Sequence, residues 1–434
     1  MFKTLASAFK TPELRKKIFI TLLLLLIYRV GCFLPVPGIL PETFKTQVGT
    51  DVSILSLLNA VSGSALANGA FLALGVTPYI NASIIVQLLT VGIPALERLS
   101  KQGEDGKEKI NLITKIIAVV LAIAQGVGIV LGFGQDCLAP IFGENLLWLT
   151  DIFVVLVLVA GTCFTMWLGD RITDQGVGNG LSLIIFIGII ATAAQSIYAS
   201  IVNVFSGNTS SLWELLGFLV TLVVLFALIV FFDLAERRIK VQYAKQVKGR
   251  KMYGGQSTYI PLKVNAGGVM PIIFATAIIT FPNLVMQLAG VTRESGWFAK
   301  FYYDYLGAGG WVYSILVGLL ILFFSYFYAQ IQFNPADVAQ NIQQNGGFIP
   351  QVRPGRPTVD YLSRISKRIT LFGAVFLAFI AIVPSIIFGA VAGGSASLIN
   401  SFTATGMLIV VSVAIELDTQ VNAQLLMKRH KNLL

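Results

Sequence analysis

The chain has 434 residues, 56% of them hydrophobic and 12% charged. That is too little polar surface to wrap a water-soluble globule of this size, so the composition excludes a soluble domain and makes a bilayer the natural solvent. A net charge of +10 would suit nucleic acid, but in a membrane protein the placement of basic residues matters more than their sum.

A helix needs roughly 20 apolar residues to cross about 30 Å of hydrocarbon, and such runs recur along the whole chain. The first, 18–36, follows Arg15, Lys16 and Lys17 in the manner of a signal peptide. No small-residue cleavage site follows, and Arg29 and residues 34–38 (LPVPG) end the run, so a retained first helix is expected. Next comes a broken region, 57–93. Residues 53–75 (SILSLLNAVSGSALANGAFLALG) are apolar enough to enter a membrane but too rich in Gly, Ser, Ala and Asn to insert as a strong span, so they predict a re-entrant segment. Such a piece is either a mobile stopper or an irregular loop packed on the outer face. Spans 113–133, 146–168 and 181–204 complete the first half, and 212–232, 269–288, 311–331, 369–387 and 396–415 the second. The glycines of 176–180 (GVGNG) read as a tight helix start, since no strand precedes them and no Lys-Ser/Thr follows as a phosphate loop requires.

Ten spans put both termini on one side, and lysine and arginine should then collect in alternate connections. They do: all of the 31 basic residues except Arg29, Lys45, Arg293 and Lys300 fall on the N-terminal segment, the even-numbered connections and the tail. Both termini are therefore expected in the cytoplasm.

Five spans per half is an odd number, so two related halves, 1–206 and 207–434, would insert with opposite orientations. Residues 75–85 (GVTPYINASII) and 268–278 (GVMPIIFATAI) share the pattern G-V-x-P-x-I-x-A-[S/T]-x-I in the second span of each half. Proline near each start suits a first-turn position. An inverted repeat of this kind puts the conducting path between the halves.

The span centres are nearly free of the ionisable groups that ion-coupled transport or ion selection requires. The one histidine, His430, is in the tail, while Asp151, Asp233 and Glu416 sit at the ends of apolar runs. No nucleophile, base and orienting group converge, so no enzyme, cofactor or metal is expected; Cys32, Cys137 and Cys163 have neither metal nor disulfide spacing. A secondary transporter with inverted repeats and a membrane scaffold are the rival classes.

Two connections, 233–265 and 332–368, are too long to be mere linkers. In the first, Ile239, Val241 and Tyr243 alternate with polar residues and the chain turns at 248–251, predicting a projecting hairpin with a basic tip. In the second, a short helix from Pro335 should stop at Gly346 and Gly347, and Thr358 should cap the helix running into the ninth span.

Residues 34–38 (LPVPG), 78–89 (PYINASIIVQLL), 174–180 (DQGVGNG), 243–246 (YAKQ), 256–265 (QSTYIPLKVN) and 347–355 (GFIPQVRPG) together resemble the SecY/Sec61-alpha family from the first helix to the tail. The resemblance implies an all-α multispanning membrane protein: ten transmembrane helices in two inverted, pseudo-symmetric five-helix halves around a central pore, with a re-entrant plug. Its implied function is a protein-conducting channel that translocates unfolded secretory polypeptides and releases transmembrane segments sideways into lipid. By that resemblance Ile80, Ile84, Ile185, Ile273 and Ile409 form the pore ring. Ile80 and Ile273 are also equivalents in the internal repeat. A narrow apolar collar is hard to keep wetted, so it blocks ions without choosing among polypeptides. The plug would span about 54–69, with Leu58, Ala60, Ser64 and Ala65 in it. Gln87 lies on the implied lateral gate, or else makes an ordinary helix–helix hydrogen bond. Arg250 and Lys251 match ribosome-contacting positions suited to rRNA phosphates, and Arg353 matches a position needed by the SecA ATPase. The implied partners are SecE, SecG, SecA, the ribosome, the preprotein with its signal sequence, and membrane lipid. The implied location is the bacterial inner membrane.

Overall fold

A computed structural model describes residues 9–43, 59, 62–100, 102–133, 139, 146–205, 209–243, 246–248, 251–253, 257–265, 267–288, 296–297, 300–302, 311–391 and 404–431. Helix α1 (Pro12–Gly31) opens with proline after an extended Thr11, a position where the missing N–H costs nothing. It buries Thr21, Leu25 and Tyr28 along one stripe, while Phe19, Leu22, Leu23 and Leu26 are exposed. The arrangement inverts what water would permit: beyond the charged first turns the outer face is made of large apolar side chains, as a lipid-facing helix requires.

The remaining helices follow the apolar runs, the short α3 and α10 apart. They are α2 (Thr77–Gly92), α3 (Pro94–Ser100), α4 (Glu104–Phe133), α5 (Leu147–Gln175), α6 (Gly180–Phe205), α7 (Thr209–Asp233), and then, past the hairpin, α8 (Met270–Leu288), α9 (Trp311–Gln332), α10 (Pro335–Gln344), α11 (Arg356–Val391) and α12 (Ala404–Lys431). Among the described residues seven helices are long and apolar enough to cross a membrane, or eight if α2 and α3, bent by 106°, are counted together. The protein is a helical multi-pass membrane protein. Pro78 and Pro271 each stand second in their helices, the first-turn position expected of both repeat segments. Helix α12 runs on past its apolar stretch, so Glu416 lies in its interior rather than at an end.

The chain divides into two compact units. The first comprises Met1–Phe218, Ala277–Tyr313 and Phe388–Leu434. Within it α5 is central: α1, α4 and α6 pack on it, α2 packs on α4, and α12 packs on α6. Its core joins Val36, Leu66 and Leu74 to Ala122, Val154 and Leu158.

The second unit comprises Leu219–Thr276 and Ser314–Ile387. Phe232 stacks on Phe376 with ring centroids 3.6 Å apart, and Phe274 meets Phe324 and Tyr328 edge-on. Strands β1 (Glu236–Tyr243) and β4 (Ser257–Lys263) pair antiparallel with Ile239 opposite Ile260, as the alternation predicts. The short strands β2 (Gln246–Lys248) and β3 (Lys251–Tyr253) carry the hairpin outward, Lys248 opposite Lys251. Strand β5 (Gly347–Phe348) adds to the free edge of β1. Ile239, Val241 and Leu262 pack with Ala339, Ile342 and Leu362, giving the two long connections a common hydrophobic core.

Thr358 does not cap α11. The left-handed turn at Gly355 (φ 96°) lets the helix begin at Arg356, with the Thr358 and Val359 amides donating to the Gly355 carbonyl. Thr358 is thus inside the first turn and buried, and its hydroxyl donates to the Arg353 carbonyl at 2.8 Å.

Candidate functional site

The most unusual backbone in the first unit is residues 62–76, a succession of turns within an otherwise helical bundle. Its polar groups have no helix to satisfy them, and in hydrocarbon each unpaired one costs several kcal/mol. Short-range bonds meet part of the need. Asn59 accepts from Ala67 N–H through Oδ1 at 2.9 Å and from Ser64 N–H through its carbonyl at 2.9 Å, and Ser62 Oγ accepts from Leu66 N–H at 3.3 Å. The LPVPG turn supplies more: Val36 N–H donates to Gly69 O and Phe71 N–H donates to Leu34 O, both at 2.9 Å, around a bridge between Pro35 and Ala70.

The rest comes from side chains of the helices. Arg29 Nη1 donates to the Gly63 carbonyl at 2.8 Å, Tyr28 OH to the Ser62 carbonyl at 3.5 Å, and Ser64 Oγ to Gln195 Oε1 on α6 at 2.8 Å. Packing is backbone against backbone. A Cβ on Gly161 of α5 would fall 1.9 Å from the Phe71 carbonyl oxygen, and one on Gly63 would fall 2.9 Å from Gly188 Cα on α6. The segment therefore sits against α1, α5 and α6 where only glycine fits.

Of the plug residues expected from the sequence, Ala65 is fully buried, Ser64 makes the bond to Gln195, and Leu58 and Ala60 lie outside the described residues. Ser64 also has φ 67°, in the left-handed region that non-glycine residues rarely adopt. Ile80 and Ile84, four residues apart, share a face of α2. Ile80 is half-buried, while Ile84, Ile185 and Ile409 are 8% exposed or less; all four belong to the first unit. Ile273, half-buried, belongs to the second. Gln87 Nε2 donates to Ser83 Oγ of its own helix at 3.3 Å.

The GVGNG turn joins α5 to α6. Thr21 of α1 accepts from Val177 N–H at 3.1 Å, Thr173 Oγ1 accepts from Gly180 N–H at 2.9 Å, and Val177 packs with Leu14 and Val421. The tight helix start expected there is what the chain makes. Close by, Lys115 of α4 pairs with Asp170 of α5 at 2.6 Å.

In the second unit Lys251 opens β3, Arg250 lies outside the described residues, and Arg353 is exposed on the turn that the Thr358 hydroxyl holds. Sequence reasoning noticed Arg29 only as a stray charge within the first span and did not single out Gln195. The signal for Arg29 was there: an ionisable residue inside an apolar run requires a partner.

A bundle of lipid-facing helices enclosing a non-helical apolar segment is the architecture of membrane channels and transporters, where irregular backbone is tolerated only within protein or along a cavity. The SecY family profile matches residues 70–417, and the chain belongs to that family. It is 41% identical, over the full length of both chains, to a protein translocase subunit SecY of Streptomyces galbus, and 40% identical, again over both full lengths, to one of Mycobacterium bovis. Among solved structures it is similar in fold to a protein-conducting channel, with a TM-score of 0.67 at 17% identity over 94% of this chain and 92% of that one. It is likewise similar to Sec61 in the canine ribosome-channel complex, with a TM-score of 0.63 at 16% identity over the same shares.

Proposed function

We propose that this chain is the pore subunit of a bacterial Sec translocon: a gated, passive conduit for unfolded secretory polypeptides that also releases membrane segments sideways into lipid. The observation that carries the reading is the re-entrant segment of 62–76, apolar, non-helical and seated among helices, in a chain alignable end to end with translocase subunits. The plug is residues 54–69, with Leu58, Ala60, Ser64 and Ala65 in it, and 62–69 are its part within that segment. Ile80, Ile84, Ile185, Ile273 and Ile409 form the collar, which needs side chains that are uncharged and turned away from lipid. None of the five is exposed, and that supports the assignment.

On this reading ten spans form two inverted halves, 1–206 and 207–434, with both termini in the cytoplasm and the chain in the inner membrane. The lateral gate runs past Gln87. The hairpin and the turn bearing Arg353 form the docking surface, Arg250 and Lys251 toward rRNA phosphates of the ribosome and Arg353 toward the SecA ATPase; SecE and SecG complete the channel. Energy comes from the docked partner and the chain performs no catalysis. Reconstituted with SecE in vesicles, the chain should take up a signal-bearing precursor when SecA and ATP are added, and absence of uptake would refute the export role. Replacing Ile80 and Ile409 with glycine should raise resting ion conductance; an unchanged conductance would refute the collar.

A further inference from the structure

We propose that Arg29 is a positioning residue that latches the re-entrant segment in its resting place, a role resting on the reading of this chain as a gated conduit. Arg29 is two residues from the end of an apolar helix, where a cation is costly and requires a polar partner. Among the described residues no carboxylate pairs with it. Its guanidinium stands over the Phe33 ring at 5.2 Å and donates to the Gly63 carbonyl at 2.8 Å. The neighbouring Ser62 carbonyl accepts from Tyr28 OH at 3.5 Å and faces Cys32 Sγ at 3.8 Å, so one turn of α1 serves two successive carbonyls of a backbone that has no helix of its own.

The choice of acceptor suits a latch. A buried ion pair to a carboxylate would be hard to open in a low-dielectric surrounding, whereas a neutral carbonyl holds a guanidinium by one charge-assisted hydrogen bond that water can replace. When the segment leaves, Arg29 faces a hydrated cavity and keeps its solvation. Gly63 is the necessary counterpart. Its φ of 70° presents the carbonyl, and a Cβ there would meet Arg29 Nη1 at 2.6 Å and Gly188 Cα at 2.9 Å.

The test reads the segment's position directly. Cysteines introduced as Ser64→Cys and Gln195→Cys, in the full chain with Cys137 and Cys163 replaced by serine, occupy side chains that touch at rest and remove that hydrogen bond, so that Arg29 is the one charged side chain bonded to the described segment. Bismaleimide crosslinking in resting vesicles should fall about tenfold with Arg29→Leu, the factor one hydrogen bond to a charged group is worth, and Arg29→Lys should recover most of it. Gly63→Ala leaves α1 untouched and should reproduce the loss. If Arg29→Leu fails to accumulate, Arg29→Met takes its place, because Gly63→Ala also presses on Gly188 Cα. Unchanged crosslinking in both variants would overturn the latch while leaving precursor uptake as the judge of the conduit. Loss of crosslinking in a chain that takes up no precursor would support the latch and sink the conduit instead.

Discussion

The re-entrant segment and the β-hairpin are both irregular insertions in a helical protein, yet they are held by different means. The hairpin satisfies its backbone by pairing strands that lie close in sequence, and it buries alternate side chains against α10 and α11. The segment of 62–76 pairs much of its backbone with residues far along the chain, Arg29, Leu34 and Val36, and packs through glycines on α5 and α6. The hairpin shares a side-chain core with two neighbouring helices, whereas the segment, which also packs Leu66 and Leu74 into the core of the first unit, adds close backbone contacts and hydrogen bonds to helix side chains. An element with its own core can remain a rigid platform for partners, while one tied by a few hydrogen bonds can be released and reseated.

This contrast can be broken experimentally. Leu362 is fully buried in the core shared by the hairpin, α10 and α11, so Leu362→Ala should cost about 2–5 kcal/mol and speed amide exchange in β1 and β4 while leaving the crosslink between positions 64 and 195 intact. Slow exchange retained in the hairpin would mean that strand pairing alone sustains it. Gly161→Ala should do the reverse: its Cβ would meet the Phe71 carbonyl oxygen, costing about 1–3 kcal/mol, loosening the segment and sparing the hairpin. The smallest effect is expected at Thr358, where Thr358→Val keeps the shape but removes the hydroxyl that donates to the Arg353 carbonyl. About 1 kcal/mol should be lost, seen as faster exchange around 353–359 without unfolding of α11.

The helices were legible because a lipid-facing helix shows itself in composition alone: runs of apolar residues punctuated by proline and glycine. The hairpin was legible because Ile239, Val241 and Tyr243 repeat at the period of a strand. The re-entrant segment was recognisable from 53–75 as something other than a span, but its partners were not. Arg29 stood out as a charge without an evident mate, and Gln195 did not stand out at all, because a polar residue exposed on a helix has many uses. Thr358 was misread because a hydroxyl can donate as well as accept, and sequence does not say which.

Amino-acid order alone determined the solvent of this protein, its apolar helices and the alternation of basic connections, since each depends on local composition and on period. Tertiary structure decided which carbonyls Arg29 and Tyr28 serve, why residues 63 and 161 must be glycine, and which turn holds Arg353. Those matters depend on which backbone atoms approach within a few ångströms across long stretches of chain, and no local pattern records such distances.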